Sequence, residues 1–190
     1  MCEAILYDLA SADLQWSIFA LRYFNPIGCD ASGMLGEDPR SIPSNLMPVV
    51  VKVMTGELPV LSIYGTDWDT RDGTPVRDYI HVTDLARGHL AALSTAPKFK
   101  GTGAGLQVFN LGSGMGHSVL DVVAAMEAVS GRRIPVQPKG RREGDVAVCI
   151  AEPAKAAAEL GWRTERSLED CCEDICRFLG INAAINAAIT

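Results

Sequence analysis

Apolar positions along this chain switch repeatedly between a helical spacing of three to four and the runs or alternation of strands, with turn-forming residues between the segments. Residues 3–12 place Ile5, Leu6 and Leu9 at helical spacing and predict the last turns of a helix. The run Ile18, Phe19, Ala20 and Leu21 within Trp16 to Tyr23 predicts a strand buried on both faces in a parallel sheet. Gly, Pro, Asp and Ser crowd residues 28–43, which predicts a loop long enough to carry function. A helix over Leu46 to Thr55, closed by Gly56, is followed by a short strand from Leu61 to Tyr64, a polar turn over 67–74 and an extended segment from Arg77 to His81. Thr83 or Asp84 can cap the next helix, which runs to about Ser94. Gly101, Gly103 and Gly105 mark a flexible loop before a strand from Gln107 to Leu111. Ser118 and Asp121 form a start signal for a helix over 118–130, and Ile134 to Gln137 reads as a strand. Helices over 153–160, closed by Gly161, and over 168–179, begun by Ser167, complete the regular part. Beyond them, Ile181, Ile185 and Ile189 recur every fourth residue and would line one helix face.

This alternation of strands and helices is that of an α/β protein, and 190 residues suffice for one domain with a proper core. The hydrophobic share of 48% and charged share of 21% are ordinary for a globular chain, while the net charge of −6 gives no drive toward nucleic acid or an anionic membrane. The first basic residue is Arg22, so no charged leader of a secretory signal is visible, and no apolar run approaches the roughly 18 residues that suggest a membrane span. Six cysteines without a Cys-x-x-Cys pair suit reduced thiols in the cytoplasm. His81, His89 and His117 match no zinc spacing, so no metal site is expected, and His81 within an extended segment is expected to make structural hydrogen bonds. Nothing resembles the Gly-x-Ser-x-Gly or Ser-x-x-Lys element of a hydrolytic nucleophile.

The turn Gly112-Ser113-Gly114-Met115-Gly116 between a strand and a helix invites a dinucleotide reading. Its Gly-x-Gly-x-Gly spacing departs from Gly-x-Gly-x-x-Gly, and the following strand lacks the acidic residue expected to hold a ribose, which favours an ordinary strand-to-helix turn. Asn25 follows the first strand at its C-terminal end, where open parallel sheets place their ligands.

Four motifs carry a resemblance. Leu21-Arg22-Tyr23-Phe24-Asn25-Pro26, Pro43-Ser44-Asn45-Leu46-Met47-Pro48, Asp72-Gly73-Thr74-Pro75-Val76-Arg77-Asp78-Tyr79-Ile80-His81 and Arg141-Arg142-Glu143-Gly144-Asp145 resemble the UDP-glucose 4-epimerase family of extended short-chain dehydrogenases. The resemblance implies an isomerase of galactose metabolism that interconverts UDP-galactose and UDP-glucose through a 4-keto sugar with bound NAD, and family members that are usually homodimers. It places Phe24 near the nicotinamide of NAD and Asn25, Asn45 and Leu46 on the UDP-sugar. It lines the uracil side with Ser62, Ile63 and Tyr64. It gives the nucleotide part of the substrate to Arg77 and Arg142, and a ribose hydroxyl to Asp145. Guanidinium groups suit a pyrophosphate because their planar forks donate in pairs. The plainer alternatives are surface ion pairs, Arg142 with Glu143 and Arg77 with Asp78. Cys149 stands where a small residue is associated with UDP-GlcNAc and UDP-GalNAc as additional substrates, although a buried small hydrophobe is its simplest role.

The family's Tyr-x-x-x-Lys pair and its N-terminal glycine fingerprint have no counterpart here. The expectation drawn from this is a C-terminal half, a fragment holding only the substrate-binding part, inactive alone and lacking most of the NAD site. Its fold is expected to be the remnant of a Rossmann-type doubly wound sheet (1–42) followed by a smaller, mainly UDP-sugar-binding α/β domain (43–179), from which segments such as 77–95 return to the Rossmann core, and an atypical tail (180–190). A noncatalytic UDP-sugar-binding or subunit-pairing protein and a UDP-pentose 4-epimerase are the alternatives.

Overall fold

The computed structural model describes residues 1–38, 43, 45–99 and 105–181. Helix α1 (Cys2–Ala12) leads into strands β1 (Ile18–Tyr23) and β2 (Asn25–Ile27), then α2 (Leu46–Met54), β3 (Leu61–Tyr64), β4 (Val76–His81) and α3 (Val82–Thr95). After a 3-10 turn come β5 (Leu106–Leu111), β6 (Gly116–Ser118), α4 (Val119–Ser130), β7 (Val136–Lys139), β8 (Val148–Cys149), α5 (Ala154–Leu160) and α6 (Leu168–Phe178).

The start signals work as written for two helices. The Ser118 hydroxyl accepts the Asp121 N–H while the Asp121 carboxylate accepts the Ser118 N–H, and Ser167 and Asp170 repeat the arrangement at α6. At α3 the cap is His81 instead of Thr83 or Asp84: its Nδ1 accepts the Thr83 N–H at 3.0 Å. The imidazole is pre-positioned by burial, its Nε2 lying 3.2 Å from the buried Asp174 carboxylate. Asp84 serves elsewhere, its fully buried carboxylate accepting the N–H groups of Glu165 and Arg166 at 2.9 Å each.

The strands fall in three hydrogen-bonded groups, β1 with β5, β3 with β7, and β4 with β2, β6 and β8. All pairings are parallel except β4 with β6. One core packs α2, α4 and α6 together through residues such as Met47, Val50, Met126, Cys172 and Ile175, and takes in Tyr79 from β4. A second gathers Ile80, Phe109, Leu111, Leu160 and Trp162, with Phe19 and Leu21 of β1 against it. Phe19 stacks on Phe109 with ring centroids 5.6 Å apart.

The expected fold of a doubly wound remnant joined to a smaller domain is corrected. Strand β1 pairs with β5 along its whole length, from Ile18 with Leu106 to Tyr23 with Leu111. Residues far along the chain thus supply one neighbour of the first strand, whose residues are half-buried or exposed instead of buried on both faces, and α/β structure with strands β1 to β8 runs through the described chain. The strand expected at 134–137 lies two residues later, because the Ile134 N–H is taken by the Glu127 carboxylate at 2.6 Å and Val136 is the residue that aligns with Leu61. Strands β2, β6 and β8 were not anticipated; two or three residues are too few for a period to register. Gly101 and Gly103, part of the loop over 28–43, and all but Ile181 of the isoleucine repeat lie outside the described residues.

Candidate functional site

Segments separated by up to 120 residues meet around one cavity of about 580 Å³, lined by Asn25 of β2, Asn45 and Leu46 at the start of α2, Ser62, Ile63 and Tyr64 of β3, Arg77 of β4, and Arg142 and Asp145 between β7 and β8. Its lining also includes Pro43, Val49, Leu58, Val60, Leu61, Pro75, Tyr79 and Val119. Phe24 and Cys149 are not in that lining. Phe24 is half-buried where β1 passes into β2, its N–H donating to the Leu111 carbonyl at 3.2 Å. Cys149 is exposed in β8, paired in register with Arg77.

The two arginines are held differently from the surface pairs that were the alternative. Arg77, whose side chain is 20% exposed, donates through Nη1 to the carbonyls of Val76 and Val146, both at 2.8 Å, and its Nη2 lies 3.8 Å from the Asp145 carboxylate. Arg142 lies flat over the Tyr64 ring, with Cζ 3.6 Å from the centroid. Among the described residues no ion pair joins Arg77 to Asp78 or Arg142 to Glu143. Arg141 repeats the stacking outside the cavity lining, 4.0 Å over Trp68, and its hydrogen bond to Asp67 holds that carboxyl below its usual range.

Tyr79 is the polar lining residue that sequence reasoning did not single out. The alternation of β4 was the available signal, since it puts residues 77 and 79 on one face. Burial pushes the Tyr79 phenol up to about 12 against the opposing charge of Arg77, so it stays a neutral hydrogen-bonding group at any physiological pH. The cavity thus offers guanidinium donors, two amides, a phenol, a carboxylate and an aromatic face. That set can bind an ester of two phosphates with hydroxylated groups at either end.

The glycine turn does not fit a dinucleotide's phosphates. The buried carboxylate of Asp78 already accepts the N–H groups of Ser113 and Gly114, each at 2.8 Å, and the Ser113 hydroxyl at 2.7 Å. An anion would have to displace a buried charge from these donors. The sequence reading of an ordinary turn thereby acquires its physical reason. Phe24 fits a planar cofactor ring better, as a half-buried aromatic at the C-terminal end of the parallel pair β1 and β5. Among the described residues there is no group of three or more His, Cys, Asp or Glu side chains placed to hold a metal ion. None of the described helices is long and apolar enough to cross a membrane.

Parallel strands alternating with helices, and a polar cleft built from their connections, define an α/β protein of the ligand-in-crevice kind. The chain belongs to the family whose model is described as GDP-mannose 4,6 dehydratase, which matches residues 14–175. It is 52% identical over 182 residues to the UDP-glucose 4-epimerase of Bacillus subtilis (strain 168), covering 96% of this chain and 52% of that protein. It is 52% identical over 176 residues to the human UDP-glucose 4-epimerase, covering 93% and 49%. A UDP-glucose 4-epimerase from Bifidobacterium longum solved in complex with NAD+ and UDP superposes with a TM-score of 0.86 at 48% identity, over 94% of this chain and 52% of that one. The enzyme from Stenotrophomonas maltophila, with NAD and formylated UDP-arabinopyranose, gives 0.88 at 41% identity over 98% and 54%. The chain therefore spans about half the length of the relatives it matches.

These findings correct four expectations. The similarity runs through nearly the whole of this chain, so the family assignment belongs to the chain as it stands and the description as a C-terminal-only fragment is dropped. The restriction of its function to a substrate-binding half is dropped with it. The expected inactivity, drawn from the lack of the Tyr-x-x-x-Lys pair and the glycine fingerprint, is not retained, because the chain superposes on an epimerase solved with NAD and a UDP-sugar. The expected loss of most of the NAD site is likewise not retained, because the chain superposes on about half of each of two proteins solved with NAD bound.

Proposed function

We propose that this chain belongs to a UDP-glucose 4-epimerase, an isomerase acting on UDP-galactose and UDP-glucose with NAD. The observation that supports this most is the convergence of Asn25, Asn45, Tyr64, Arg77, Arg142 and Asp145 on one cavity, from motifs spread over 120 residues. A bound NAD would supply the hydride chemistry that inverting a sugar carbon requires. In this reading Arg77 and Arg142 bind the pyrophosphate, since paired guanidinium donors match its oxygens. Asp145 accepts from a ribose hydroxyl, Ser62 to Tyr64 border the base, and Asn45 and Leu46 meet the nucleotide at the start of α2. Asn25 orients the hexose, Cys149 borders it from β8, and Phe24 faces the nicotinamide. The protein works in the cytoplasm as a homodimer; six free cysteines, four of them buried, suit a reducing compartment.

The test is direct. The whole protein supplied with NAD converts UDP-galactose to UDP-glucose, and Arg142→Lys weakens its UDP binding by about tenfold, because an ammonium keeps the charge but not the planar fork that stacks on Tyr64. Absence of turnover, or a lysine variant that binds UDP as well as the parent, overturns this reading.

A further inference from the structure

Asp78 carries no role in the binding chemistry above, yet its carboxylate is fully buried and accepts four hydrogen bonds from two separate segments. Ser113 and Gly114 supply three of them, and the Ala151 N–H supplies the fourth at 3.1 Å. Ala151 lies two residues beyond Cys149, the end of β8, and β8 has only two residues. Strand pairing that short holds a segment weakly, since each net hydrogen bond stabilises by about 1 kcal/mol. Along β4 the same segment is fastened at successive points: Asp145 near the Arg77 guanidinium, Val146 by the Arg77 side chain, Ala147 by the Val76 N–H at 2.8 Å, and Ala151 by Asp78.

We propose that Asp78 is a positioning residue for the nucleotide-sugar cleft, a buried clamp that ties the segment 145–151 to the glycine turn and so holds Asp145 and Arg142 across from Arg77. The inference rests on the proposed function of this cavity. Gly112 supports it from the other side. A Cβ there would lie 2.4 Å from the Ala151 Cβ and 2.8 Å from Asp78 Oδ2, so only glycine lets the turn, the carboxylate and residue 151 come together. The turn's glycines thus serve the substrate side of the cleft, by letting a carboxylate in where a dinucleotide fingerprint would admit a phosphate.

Asp78→Asn keeps the shape but points an NH2 group at N–H donors on one side or the other. Asp84→Asn is the matched control: Asp84 is equally buried, also accepts backbone N–H groups, and lies outside the cavity lining. UDP binding by the whole protein is measured by calorimetry for the parent and both variants, well below their melting temperatures. Asp78→Asn is expected to weaken UDP binding by about tenfold and to raise KM for UDP-galactose more than it lowers kcat, while Asp84→Asn stays within about twofold of the parent in UDP affinity despite a comparable loss of stability. Gly112→Ala, which wedges the same three groups apart while leaving the Asp78 side chain itself unchanged, is expected to weaken UDP binding in the same direction and stands in if Asp78→Asn does not fold. Parent-like UDP affinity in the folded Asp78 or Gly112 variant, or equal losses in the Asp78 and Asp84 variants, overturns the proposal. A parent that fails to bind UDP removes the underlying reading of the cavity, and the proposal with it.

Discussion

Tyr79 illustrates how one buried group ties stability to pH. Its phenol is pushed up to about 12 by burial, above the ordinary value near 10, so the fold favours the neutral form. A group whose folded value is raised contributes stability that is complete below its unfolded value and is lost as pH rises through the folded one. That window runs from about pH 10 to 12, and a shift of about two units corresponds to roughly 2 to 3 kcal/mol. Urea unfolding at pH 9 and pH 11.5 is expected to show this loss in the parent, with Tyr79→Phe losing less over the same interval; equal losses would mean that the phenol is not the titrating group. The alternation of β4 sets Tyr79 on the face of Arg77 but does not predict this burial, because Tyr79 differs from the solvent-facing Tyr23 in what the tertiary fold packs around it. Arg77 and Arg142 were legible as binding residues from their motifs. Their actual partners, backbone carbonyls for one and an aromatic face for the other, were not.

Helix ends were the most legible elements, since a capping box needs only residues three apart. Ser118 does more than cap α4: its hydroxyl also donates to the Asp72 carboxylate at 2.5 Å, across 46 residues. Burial disfavours the Asp72 charge, but the hydrogen bonds from Ser118 and Thr74 outweigh it and hold the group below its ordinary value. Ser118→Ala therefore removes a cap and leaves a partly buried carboxylate short of a donor, whereas Ser167→Ala removes a cap alone. Thermal unfolding is expected to show a loss of about 2 kcal/mol for the first and about 1 kcal/mol for the second. Equal losses would mean that the Asp72 bond contributes nothing. The cap of α3 escaped the sequence because a histidine nitrogen is not a customary acceptor there, and it becomes one only when Asp174 on a distant helix meets the other side of the ring.

Across the whole molecule, stability is unevenly spread. Helix α6 buries Leu168, Cys171, Cys172, Asp174, Ile175 and Cys176, whereas α1 buries Ala10 alone and leaves Ile5 and Tyr7 60% and 63% exposed. Hydrogen exchange of this 190-residue chain is expected to release α1 amides at least about tenfold faster than those in the middle of α6; comparable protection would contradict the packing described here. The same contrast separates what each level of description determined. The sequence by itself determined the order and type of the main elements, two of the helix starts, and the motifs that carry the resemblance, because periodicity, capping and turn chemistry act over a few residues. Only the tertiary structure decided that β1 finds its partner in β5, that the two-residue strand β8 lies along β4, and that Asp78 fills a glycine turn. Those outcomes depend on groups 35 to 90 residues apart satisfying one another's hydrogen bonds and burial, and such partners leave no local trace in either segment.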